Sequence, residues 1–131
     1  MLMKQLLQKL AFSLLLVSAV TFTTWAQAPA KGSAAINGEN VITLDITEPL
    51  VAEYTFSIAT MGFKDDAAAE RFFLLCRDNL ITFSVDVAKK EATVQLRLES
   101  TDPRGWGVAE YNAYFIKVAD RYRQIQSVVN Q

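Results

Sequence analysis

Four segments of this chain alternate apolar and polar side chains one residue at a time, the period of a strand with one covered and one wet face. In the first, 41–47, Ile42, Leu44 and Ile46 alternate with Thr43, Asp45 and Thr47 before Pro49 breaks the pattern. In the second, Tyr54, Phe56 and Ile58 alternate with Thr55, Ser57 and Ala59. The third, 80–87, sets Ile81, Phe83, Val85 and Val87 on one side, and the polar run Ala88-Lys89-Lys90-Glu91 turns the chain. The fourth carries Ala92, Val94, Leu96 and Leu98 against Thr93, Gln95, Arg97 and Glu99. A turn that short makes a hairpin of the last two.

Between the second and third strands the period changes to that of a helix. Asp65-Asp66 opens it, since a carboxylate there accepts orphan amide protons and meets the positive end of the helix dipole. At 100° per residue Ala68, Ala69, Phe72, Phe73, Leu75 and Cys76 share one face, and Glu70, Arg71, Arg77 and Asp78 the other. A longer helix is predicted over 106–125. Val108, Tyr111, Phe115, Val118, Ala119, Tyr122 and Ile125 form its stripe, opposed by Glu110, Lys117, Asp120, Arg121 and Gln124. Asp102-Pro103 suits its approach, while Gly105 and Gly107 argue for a later start.

One apolar face per strand and one stripe per helix predict an α+β fold in two layers. The arrangement expected is a ferredoxin-like sandwich. It has a four-stranded antiparallel sheet in the order first, second, fourth, third, with both helices on one face. The N-terminal strand takes the edge that a C-terminal strand usually fills.

The start of the chain reads as an address. Lys4 and Lys9 precede an apolar stretch from Leu10 to Phe22, and Thr24-Trp25-Ala26 places small residues three apart. That is the pattern of a cleaved signal peptide, and the stretch is shorter than the ~20 residues a membrane anchor needs. The expected division is a signal peptide at 1–26, a flexible leader at 27–40 with Pro29, Gly32 and Gly38, and one α+β domain at 41–131. The product is expected outside the cytoplasm, in the periplasm or the medium, with no membrane anchor after cleavage. Removing 1–26 from the 131 residues leaves 105, and it takes Lys4 and Lys9 from the 13 basic side chains. Eleven basic against 14 acidic groups then give a net charge of −3. That balance offers phosphate no clustered positive charge, so nucleic acid is not an expected partner.

The chain has no His and a single Cys. No His-based triad or Cys–His pair can be assembled, and no Gly-rich phosphate loop is present. The protein is therefore expected not to be an enzyme, with no catalytic, cofactor-binding or metal-binding residues. Cys76 falls mid-face on the first helix and is expected to be a buried thiol.

Residues 54–99 resemble the heavy-metal-associated domain of copper chaperones and metal-transporting ATPases. Thr60-Met61-Gly62-Phe63-Lys64-Asp65-Asp66-Ala67 looks like that family's Gly-Met-x-Cys-x-x-Cys-Ala loop. Leu80 to Val87 and Glu91 to Val94 are similar to its second and third strands. The resemblance implies a ferredoxin-like, metal-carrying module, with Phe63 and Asp66 standing where the family has its two cysteines. Soft metals require thiolate or thioether ligands. Met61 and Cys76 lie 15 residues apart along one helix, ~22 Å at 1.5 Å per residue. Asp65 and Asp66 offer hard oxygen, better suited to a helix cap than to a cation.

Contact residues are the remaining candidates. Trp106, in the run Arg104-Gly105-Trp106-Gly107, is either an anchor for a partner or a ring tucked under the helix end. Asp45 and Arg97 project from the wet face of the sheet, whose small hydroxylated side chains permit flat contact with a second copy. The function expected is an exported, non-catalytic binding or structural module with a protein or envelope partner. The alternative is an atypical metal-ion-binding domain in envelope metal handling.

Overall fold

The structure, a computed structural model, describes residues 31–98 and 105–131. The expected signal peptide, Glu99 and Arg104 lie outside those residues. In chain order the elements are β1 (Lys31–Ile36), β2 (Ile42–Leu44), β3 (Glu53–Ser57), α1 (Asp66–Cys76), β4 (Ile81–Asp86), β5 (Glu91–Leu96) and α2 (Val108–Val129).

The sheet corrects the expected fold. It has five strands in the order β2-β1-β3-β5-β4 and is mixed, not a four-stranded antiparallel ferredoxin-like sheet. The added strand, β1, comes from residues assigned to a flexible leader. It is inserted between the two strands expected to form the first hairpin, antiparallel to β2 and parallel to β3. Two local causes decide this. The turn from Asn37 to Asn40 is tight: the Asn40 N–H donates to Asn37 O at 3.0 Å, and Asn37 Oδ1 accepts from Glu39 and Val41. Asn40 takes the left-handed backbone (φ 60°) that such a turn needs and that Asn tolerates. Gly32 supplies the second cause. A Cβ at this position would stand 2.3 Å from the Tyr54 ring, which lies across β1 from its register partner on β3. Only a residue without a side chain lets the two strands pair there.

Both helices cover the face that carries Ile42, Leu44, Tyr54, Phe56, Ile81, Ala92, Val94 and Leu96, all buried. α1 lies over β4, α2 over β2, and the helices touch each other. Asp65 caps α1 by accepting from the Ala68 N–H at 2.7 Å. α2 starts at Val108, after both glycines, where Glu110 Oε2 accepts from the Gly107 N–H at 2.9 Å. The core between the layers is aromatic. Phe72 stands edge-on to Phe73 with centroids 4.9 Å apart, and Phe63 packs on Phe72 at 5.2 Å.

Two expected core positions are outside it. Leu75 is 52 % exposed because α1 packs through Phe72, Phe73 and Cys76, leaving Leu75 on its flank. Ile46 is 68 % exposed because β2 ends at Leu44. There Asp45 Oδ1 accepts from the Thr47 N–H at 2.9 Å and turns the chain away. Among the described residues no helix is long and apolar enough to cross a membrane.

Candidate functional site

Trp106 forms the wall of a hollow. Trp106, Glu110, Ala113, Tyr114 and Lys117 line a mostly apolar space of about 320 Å³ on the flank of α2. Helical spacing brings the last four together, since positions three and four apart share a face. The Trp106 ring stands edge-on to the fully buried Tyr111 at 5.3 Å and tilts against Tyr114 at 6.1 Å. The ring is half-buried and packed on a core ring, as a ring tucked under the helix end would be, and its other side faces the hollow.

Tyr114 is fixed from behind. Its hydroxyl donates to Asp78 Oδ2, which also accepts from Arg121 Nη2 at 3.2 Å. Arg121 reaches the Cys76 carbonyl at 3.4 Å. The other Asp78 oxygen accepts the Leu80 and Ile81 N–H groups at 2.8 and 2.9 Å. One carboxylate therefore ties the end of α1, the start of β4 and two residues of α2. Burial, then the hydrogen bond to Asp78, holds the Tyr114 hydroxyl well above the usual phenol range. Burial likewise pushes the Cys76 thiol up to about 12 and raises the Tyr122 hydroxyl, which is buried with no hydrogen-bond partner among the described residues.

The other expected contact residues are not gathered at this hollow. Asp45 follows β2 and bonds Thr47 through its own side chain, with the Thr47 hydroxyl at 2.6 Å holding its carboxyl below the usual range. Arg97 follows β5, three strands away, or about 14 Å at the usual strand spacing. Arg104 lies outside the described residues. The wet face of the sheet carries a registered row, Ser33, Thr55, Thr93 and Ser84, across four strands.

In the loop before α1, the two positions that hold cysteines in the heavy-metal-associated family have other contacts. Phe63 packs on Phe72 and Phe73, and Asp66 pairs with Lys90 at 3.3 Å. Met61 is half-buried against the core. The loop borders a hollow of about 220 Å³ lined by Gly62, Phe63, Lys64, Asp65, Asp66 and Lys90, among others. Among the described residues no three His, Cys, Asp or Glu side chains lie close enough to share a metal ion.

Sequence reasoning missed the residues that organise these regions. Tyr114 and Arg121 are seven apart, two helical turns on one face, which is a legible signal. The link from Asp78 to them gives no such signal, because those partners lie 36 and 43 residues away. The carboxamides of α2 and of its C-cap, Asn130, are equally silent. Asn112 accepts from the Leu44 N–H at 2.8 Å and donates to Leu44 O at 3.2 Å. Gln126 bonds Asn40 and the Met61 carbonyl, and Asn130 bonds Gly62 and Lys64.

Comparison of the chain with protein-family models, with curated proteins and with solved structures gives no match. The fold and site define a class only: an α+β module with a mixed five-stranded sheet and an aromatic-walled hollow on its longer helix.

Proposed function

We propose that the protein is an exported, non-catalytic binding module that takes an apolar side chain of a protein partner into the Trp106 hollow. One observation carries this. The aromatic walls are set before any partner arrives, Trp106 against buried Tyr111 and Tyr114 by the Asp78 and Arg121 bonds. A contact that needs no ordering on binding keeps more of its interaction energy, and Trp and Tyr are the usual anchors of such contacts. Glu110 and Lys117 put one charge of each sign at the rim, suiting a partner with polar groups around an apolar centre. Export rests on Lys4, Lys9, the apolar stretch and Ala26.

The test is a photo-crosslinking residue at Ala113 in the full chain, expressed in the producing cell. A discrete protein adduct that disappears with Trp106→Ala is expected. No adduct, or one that Trp106→Ala leaves unchanged, would overturn this function. Stoichiometric Cu(I) binding lost in Met61→Ala would put the metal-handling alternative in its place.

A further inference from the structure

We propose that β4 pairs with β4 of a second copy, antiparallel about a twofold axis at Ser84, joining two five-stranded sheets into one of ten strands. This is independent of the Trp106 hollow. It follows from where the backbone groups of β4 point.

In an antiparallel ladder, alternate residues direct N–H and C=O at the neighbouring strand and the rest direct them away. Leu80 O accepts from the Arg97 N–H at 2.9 Å, so the even-numbered residues of β4 face β5 and the odd-numbered ones face the free edge. Ile81 is the first of these and is already closed. Its N–H donates to Asp78 Oδ1 and its carbonyl accepts from the Asp78 N–H, both at 2.9 Å. Among the described residues, Phe83 and Val85 are left at the edge. Their side chains are only half-buried although they lie on the core face of the sheet.

A second copy fits this edge in one register above the others. Setting Phe83 opposite Val85 of the second copy forms two hydrogen bonds, and the twofold repeats them, so all four open groups of each chain are used. Setting Phe83 opposite Phe83 forms two and points Val85 at the closed Ile81. In the favoured register Phe83 covers Val85 on the core face, Thr82 opposes Asp86 on the wet face, and Ser84 opposes itself. No like charges meet, and like charges are what oppose strand pairing most directly. Beyond the strand ends, the Lys89-Lys90 turn of each copy lies toward the Asp78 end of the other. Between the closed Ile81 and the charge at its end, Asp86, the strand has no guard: there is no Pro, no Lys and no extra residue in the ladder.

Two measurements on variants of the chain without residues 1–26 test this. Opposed residues flanked by hydrogen-bonded pairs have Cα atoms ~4.5 Å apart, within disulfide reach. In a Cys76→Ala background, Ser84→Cys should therefore oxidise to a covalent dimer at least tenfold faster than Ser57→Cys, an exposed position on central strand β3. Sedimentation velocity across micromolar concentrations should show a monomer–dimer equilibrium that Ser84→Lys abolishes while circular dichroism stays unchanged. A chain that stays monomeric throughout, or a Ser84→Cys no faster than Ser57→Cys, would overturn the proposal. So would a dimer that Ser84→Lys leaves intact.

Discussion

The two edges of the sheet are finished differently. At β2 a side chain from another element closes Leu44: the Asn112 carboxamide accepts from its N–H and donates to its carbonyl, as the peptide of a further strand would, and Ile42, the other residue whose backbone faces that edge, is buried. At β4 the same device, built from Asp78, reaches only Ile81 and stops. An unpaired edge invites association, and natural sheets cover it or charge it. One edge is closed at Leu44 by a residue 68 positions away and the other at Ile81 by a residue three positions away, which leaves Phe83 and Val85 as the stretch proposed to pair.

The largest effect expected in testing that contrast is on β1, which carries the closed edge. Gly32→Val drives a branched side chain into the Tyr54 ring. The strand must shift or leave, and β2 goes with it. A loss of about 3 kcal/mol or more is expected in urea unfolding. Gly38→Ala, with open space around it, should cost a small fraction of that. Next comes Asp78→Ala. It frees the Leu80 and Ile81 amides, the Tyr114 hydroxyl and Arg121 together, at a cost of about 2–3 kcal/mol. It should also loosen the Trp106 hollow, read as a red shift of its fluorescence in the chain without residues 1–26. Asn112→Leu removes two bonds to one residue and should cost about 1–2 kcal/mol by the same measurement.

How much of this could be read beforehand depends on what each residue touches. β2 to β5 and both helices announce themselves because their apolar residues recur at the right period. β1 does alternate, with Gly32, Ala34 and Ile36 inward, but its small residues carry almost no hydrophobic contrast. Its Gly reads as flexibility when it is in fact a requirement of Tyr54. Once that strand is missed, the first hairpin and the antiparallel sheet follow wrongly from sound local rules. The edge closures were illegible for another reason. Asn112 and Asp78 are polar residues at polar positions, and only the folded backbone shows which carbonyl or amide each one meets. Trp106 was legible as a candidate from its type and neighbours, and its hollow was not, since Tyr114 is placed by Asp78.

The effect that is absent at neutral pH lies under the Asp78 corner. The Cys76 thiol titrates near 9.0 when exposed and is pushed up to about 12 by burial. Between those values the unfolded chain has lost the proton and the folded chain keeps it, so stability should fall as pH rises from about 9 to 12. Cys76→Ala should make that fall shallower, seen in thermal unfolding across the range.

Amide hydrogen exchange, resolved by residue and repeated at low and high protein concentration, tests the central contrast most directly. The Leu44 and Ile81 amides should be protected at every concentration, while those of Phe83 and Val85 exchange fast in dilute solution and slow as concentration rises. Leu44 exchanging as fast as Val85, or Phe83 and Val85 exchanging at the same fast rate at every concentration, would contradict the account.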